Sequence, residues 1–154
     1  MHRLTQGLIA GLIVSAISML QPAQGADTSI ASYEVVGDAI PAPLAGLKGE
    51  PKRGRKIVLD RETGNCLICH QIPATGEPSQ GDLAPTLAGV GGRLTVGQLR
   101  YRLVDQSRLN PSTMMPPYHR SDRLTRVAPR FRDKPVLSAQ EIEDVVAWLS
   151  TLKD

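Results

Sequence analysis

Cys66-Leu67-Ile68-Cys69-His70 is the stretch from which the rest of the chain is read. It has the form C-x-x-C-H, the attachment signature of a c-type haem. In that chemistry two cysteine thiols add across the two vinyl groups of a porphyrin. Cysteines three residues apart lie about one helical turn apart, so their sulfurs face the same side. His70 follows Cys69 directly, which brings its imidazole over the iron once the thioethers hold the ring. Two other uses of C-x-x-C are a thioredoxin-like redox pair and half of a zinc site. Zinc would need two more ligands, yet beyond the first 25 residues the chain has no other cysteine and one spare histidine, His119. A redox pair would sit in a βαβ unit, and no such pattern is present.

The 154 residues suit one domain. The start of the chain has the features of an export signal: Arg3, an apolar run over 8–20, then the small-x-small site Ala23-Gln24-Gly25. The run is short for a spanning helix, which needs about 20 apolar residues. The expected division is therefore a signal peptide at 1–25, an arm at 26–47 and a domain at 48–154. Export implies the periplasm, with no membrane attachment after cleavage. Both cysteines are claimed by the haem motif, so no disulfide is expected. A net charge of +3, with acids and bases interspersed, gives no footprint for nucleic acid. With one Trp, three Tyr and one Phe, an aliphatic core would be modest, and a buried porphyrin would add apolar surface.

Residues 26–49 read as an extended arm, in which Tyr33, Val35 and Val36 either form a short strand or simply lie on the surface. Pro41, Pro43, Gly46 and Gly49 exclude a helix there. A first helix is expected over 51–61, opening on Pro51, where a missing N–H costs nothing. Gly54, Ile57 and Val58 share one face, and Gly54 allows close approach of a second backbone. The 71–93 segment is dense in Pro and Gly, and no regular element is expected in it. Pro85 has a specific expected role. A ligating histidine normally donates its other ring N–H to an acceptor, and the Pro85 carbonyl is the candidate.

Thr95-x-x-Gln98 is a capping box for a helix over 96–107, ended by Asn110-Pro111. Next comes Asn110-Pro-Ser-Thr-Met-Met-Pro-Pro-Tyr-His119. Met1 and Met19 leave with the signal, so Met114, Met115 and His119 are the remaining candidates for a sixth iron ligand. Thioether ligation raises the reduction potential and suits electron transfer. Pro116-Pro117 stiffens the chain after Met115, the preferred ligand. Adjacent methionines cannot point the same way, so at most one binds. Residues 119–135 are basic, with Arg120, Arg123, Arg126, Arg130, Arg132 and Lys134, and are expected to form a docking surface for an acidic partner. Ser138-x-x-Glu141 caps a last helix whose apolar face is Ile142, Val145, Val146, Leu149 and Leu152, with Trp148 at its edge. That helix should cross the first at Gly54.

In order this is helix, C-x-x-C-H, proline loop, helix, methionine loop and amphipathic C-terminal helix. The arrangement resembles the all-α class I cytochrome c fold, here with an extended N-terminal arm. A narrower resemblance is to the SoxX family, carried by Tyr33-Glu-Val-Val-Gly-Asp-Ala-Ile-Pro41, Gly54-Arg-Lys-Ile-Val58, Asn65-Cys-Leu-Ile-Cys-His70, Leu83-Ala-Pro-Thr-Leu-Ala-Gly-Val90, Gly97-Gln-Leu-Arg100, Asn110-Pro-Ser-Thr-Met-Met-Pro116 and Ile142-Glu-Asp-Val-Val-Ala-Trp-Leu149. SoxX is the monohaem subunit of the SoxAX complex. The resemblance implies one covalent haem c on Cys66 and Cys69, with His70 and Met115 as axial ligands. It also implies a SoxA-like partner, at whose haem thiosulfate is joined oxidatively to a cysteine of the carrier SoxYZ. This chain would accept electrons from SoxA and pass them to a soluble cytochrome c, without a substrate site of its own. In the family pattern an aliphatic residue precedes the ligating methionine; here Met114 stands in that place. Two alternatives use the same haem: a free-standing electron shuttle, and an enzyme or gas sensor with an open iron position.

Overall fold

Two helices distant in sequence meet backbone to backbone in the computed structural model, which describes residues 29–73 and 75–153. The first, α1, spans Pro51–Leu59 with Pro51 at its first position. The expected signal peptide and the first residues of the arm lie outside the described residues. Helix α1 stops two residues short of the expected end. Asp60 leaves helical geometry, and its carboxylate accepts the amides of Glu62 at 2.8 Å and Thr63 at 2.6 Å. Those bonds satisfy donors that a longer helix would have had to pair.

The last helix, α4, spans Ala139–Leu149 and opens on the expected capping box of Ser138 and Glu141. Its Asp144 carbonyl lies 1.9 Å from where a Cβ on Gly54 would be, so only glycine permits the crossing. Gly49 meets the Glu143 carbonyl in the same way, at 2.0 Å. Asp144, buried on α4, ties the start of α1 down. It accepts the Glu50 amide at 2.7 Å and both Nε and Nη2 of Arg53, at 2.7 and 2.8 Å.

Between these helices lie α2, Val90–Arg93, and α3, Val96–Asp105. The single turn α2 departs from the expectation of no regular element over 71–93. Its stability comes from tertiary contact rather than local propensity. The Gly91 amide donates to the Leu152 carbonyl at 2.9 Å, and a Cβ at Gly91 would meet the Ser150 carbonyl at 2.5 Å. Helix α3 carries the expected capping box of Thr95 and Gln98, and gives way to a 3₁₀ turn over Gln106–Arg108.

The arm forms no strand among the described residues. Val36 and Ala39 make one isolated bridge, and Val35 and Val36 face solvent. Further on the arm is fixed firmly. Ile40 and Leu44 are fully buried, and the Ile40 amide donates to the Gly97 carbonyl at 3.0 Å. Arg100 on α3 and Glu143 on α4 form a buried two-bond ion pair, at 2.7 and 2.9 Å. Arg100 Nη1 also donates to the Ile40 carbonyl at 2.6 Å, while Glu143 accepts the Leu44 amide at 2.9 Å. The arm's backbone thus completes the hydrogen bonding of a charge pair that would otherwise be costly to bury. The apolar core gathers Val58, Leu99, Leu103, Val104, Ile142, Val145, Val146 and Leu149. Trp148, from the edge of the α4 stripe, is buried with them. Among the described residues no helix is long and apolar enough to cross a membrane.

Candidate haem site

The Cys66–Ile68 segment is a tight 3₁₀ turn entered through Asn65 in the left-handed conformation. The amides of Cys69 and His70 both donate to the Cys66 carbonyl, at 3.2 and 2.9 Å. This curls the motif so that its thiols and imidazole stem from one turn. The following loop is laced onto the turn. Gly81 donates to the Leu67 carbonyl at 2.8 Å, Ala84 to that of Cys69 at 2.9 Å and Leu87 to that of Gln71 at 2.9 Å. Gly81 sits so close that a Cβ would lie 2.0 Å from the Ile68 carbonyl.

His70 Nδ1 lies 2.7 Å from the Pro85 carbonyl, the contact anticipated from the sequence. A carbonyl can only accept, so Nδ1 carries the proton and donates. That leaves Nε2 with its lone pair free for a metal. Gln80 braces the same loop: its Oε1 accepts the Ile72 amide, and its Nε2 donates to Thr75 Oγ1 and the Glu77 carbonyl. A cavity of about 440 Å³ lies within this loop, bounded by Gln71, Ile72, Gln80 and Thr86 among others, and none of the candidate iron ligands lines it.

No disulfide joins Cys66 and Cys69. Burial pushes the Cys66 thiol up to about 11. A redox-active C-x-x-C needs the opposite shift, towards an available thiolate. Among the described residues no three His, Cys, Asp or Glu side chains cluster as a metal-ion site.

The methionine loop distinguishes its three candidates. Met114 is 73% exposed, whereas Met115 is partly buried against the core and its amide donates to Thr113 Oγ1 at 3.1 Å. His119 is fully buried with both ring nitrogens engaged: Nδ1 donates to the Leu137 carbonyl at 2.8 Å, and Nε2 accepts the Ala31 amide at 3.0 Å. It pins the arm to the segment before α4 and has no nitrogen left for a metal. Tyr118 closes the loop over the cysteine turn, its hydroxyl donating to the Gly64 carbonyl at 2.9 Å.

Arg120 departs from its expected place on an exposed docking face. It donates at 2.6 Å to the fully buried Asp105 and is largely covered. Arg130 reaches Glu62 at 3.4 Å and lies over the Phe131 ring. Arg126, Arg132 and Lys134 are exposed and have no ion-pair partner among the described residues, and Arg123 has only a loose 3.7 Å contact with Asp122. Asp105, Arg100 and Glu143 were not anticipated as special. Polar residues on an amphipathic helix read as its solvent face, and no local signal marks them as buried.

These donors suit an iron porphyrin. Cys66 and Cys69 offer two sulfurs from one turn and His70 an oriented imidazole, while Met115, partly buried, is a soft thioether of the kind haem iron accepts. Comparison with known proteins agrees. A model of the cytochrome c family matches residues 51–153. The crystal structure of SoxXA from P. pantotrophus matches with a TM-score of 0.73 and 38% identity, covering 79% of this chain and 95% of that one. No curated protein matches.

Proposed function

The chain belongs to the cytochrome c family, and from that premise we propose that it is the electron-transfer subunit of a SoxAX-type complex. Family membership implies a covalently bound haem c. In this reading Cys66 and Cys69 would anchor it through thioethers, and His70 and Met115 would supply the protein donors to its iron. When bound, the haem supplies a one-electron couple. The Pro85 carbonyl keeps the His70 ring in one tautomer and one orientation. The laced 81–87 loop fixes the His70 ring, and the loop over 106–119 fixes Met115; a rigid donor set of this kind would suit a one-electron couple. A full ligand set on the chain's own residues leaves no position for substrate, which fits a relay rather than a catalyst.

One observation carries the assignment beyond a generic cytochrome c. The likeness to SoxXA covers 79% of this chain, more than the family domain at 51–153 accounts for, so it takes in part of the arm. A soluble shuttle has little use for an arm held by a buried Arg100–Glu143 pair. A subunit can present it to a partner. The finer reading is that electrons arrive from a SoxA-like cytochrome after thiosulfate is joined to SoxYZ, and leave to a soluble cytochrome c. Signal cleavage after Gly25 would place the protein in the periplasm.

The test is affinity capture of the tagged full-length chain from the periplasm of thiosulfate-grown cells, followed by haem staining. A second haem-staining chain of SoxA type should co-purify in constant ratio. A haem protein that runs alone at every concentration would return the chain to the free-shuttle reading.

A further inference from the structure

The loop that carries Met115 begins and ends on one buried carboxylate. Asp105, the last residue of α3, has no exposed side-chain surface. Its Oδ1 accepts the Ser107 amide at 3.1 Å and the Ser107 hydroxyl at 2.5 Å. Its Oδ2 accepts Arg108 Nε at 3.2 Å and, from the far side of the loop, Arg120 Nη1 at 2.6 Å. Arg120 Nη1 also donates to Ser107 Oγ at 3.3 Å. Two backbone bonds lie beside this hub, from Tyr118 to the Leu103 carbonyl at 3.0 Å and from His119 to that of Val104 at 3.3 Å. Residues 106–119 are therefore a closed loop whose two stems share one charge.

We propose that Asp105, with Arg120 and Ser107, is a positioning clamp that keeps the 106–119 loop shut and so holds Met115 at its coordination position. The inference rests on the reading of Met115 as the sixth ligand. The clamp has a built-in tendency to release. Gln106 Oε1 and Arg120 Nε are both buried without a hydrogen-bond partner, one an acceptor at the start of the loop and the other a donor on the clamp's own Arg120. Opening the loop hydrates them, which favours the open form. Closure is held against that pull by charge-assisted bonds to Asp105. Of the basic side chains in the 119–135 stretch, Arg120 thus belongs to the ligand's support.

The experiment uses the full-length haem-loaded protein and three variants: Asp105→Asn, Arg120→Gln and Arg120→Lys. The near-infrared charge-transfer band of methionine-bound ferric iron is recorded, with the rate at which imidazole displaces the sulfur. Amide hydrogen exchange is followed in the same samples. The expected result is faster imidazole binding by about tenfold or more in Asp105→Asn and Arg120→Gln, the factor for loss of one charge-assisted hydrogen bond. Amides of 106–119 should lose protection while those of α1 and α4 keep theirs. Arg120→Lys should fall between these variants and the wild type, since it retains the charge but places its donor differently from Nη1. Unchanged imidazole rates in a wild type and variants that all show the band overturn the clamp. Equal loss of protection throughout α1, α4 and the loop also overturns it, because the pair would then serve global stability alone. A wild type with no methionine band overturns the ligand reading instead, and is told apart from the other failures by the band alone.

Discussion

Met114 and Met115 are chemically identical neighbours, and the fold separates them. One side chain lies in solvent, while the other packs against the core on a loop pinned by Tyr118 and Asp105. Met115→Ala should therefore keep the haem covalently attached, open the iron to carbon monoxide and lower the potential by a sizeable fraction of the roughly 0.8 V that axial ligation commands. Met114→Ala should leave potentiometry and carbon monoxide binding as in the wild type; the reverse pattern would exchange the two assignments. Asp60 makes a different kind of prediction. Backbone amides of Thr63 and then Glu62 hold its carboxyl below the ordinary carboxylate value. A proton then binds the unfolded chain more readily than the folded one, so this support is fully present above about pH 4 and fades as pH falls through the lower folded value. In melts across pH, Asp60→Ala should be less stable than wild type near neutrality, and the gap should close in strong acid.

At the level of elements, the crossing of α1 and α4 depends on an absent side chain. Gly54→Ala places a carbon against the Asp144 carbonyl, with rigid backbone on both sides. It should cost about 3 kcal/mol, read as a lower denaturant midpoint with an unchanged slope. That crossing was legible from residues alone, as were the capping boxes of α3 and α4. In each case the signal is local: a glycine in an amphipathic pattern, or a Ser or Thr three residues before a Glu or Gln. The Pro85 carbonyl was also legible, because a ligating histidine needs an acceptor. The one-turn α2 was not, since its support comes from Ser150 and Leu152, just beyond α4 and about 60 residues away in sequence. The partners of Asp105 and Arg100 were hidden for a related reason. Asp105 meets Arg120 from the other stem of a loop, and Arg100 meets Glu143 and Ile40 across some 43 and 60 residues. His119 reads as a spare ligand in the sequence, but Leu137 and Ala31 engage both of its ring nitrogens.

Across the molecule, one set of charges is buried and builds the fold, while a basic set lies exposed on the 121–134 loop. Removing one member of the buried set should be severe. Glu143→Leu strands the Arg100 guanidinium and should cost about 3–5 kcal/mol in chemical denaturation, whereas replacing both by apolar residues of similar volume should cost far less. The exposed set should act on association instead. Neutralising Arg123, Arg126 and Arg132 together should slow binding to an acidic redox partner, most strongly at low salt, as followed by stopped-flow. A salt-independent rate would rule out steering by this loop. The contact between α1 and α4 has a consequence for the order of events in biogenesis. Arg53 and Asp144 are separated by 91 residues, and such a junction forms only after a long segment has given up its freedom. The polypeptide should therefore stay open until the intervening segment condenses, and a bound porphyrin would give that segment apolar surface to condense around. Until then the sulfurs of Cys66 and Cys69 should remain open to reaction.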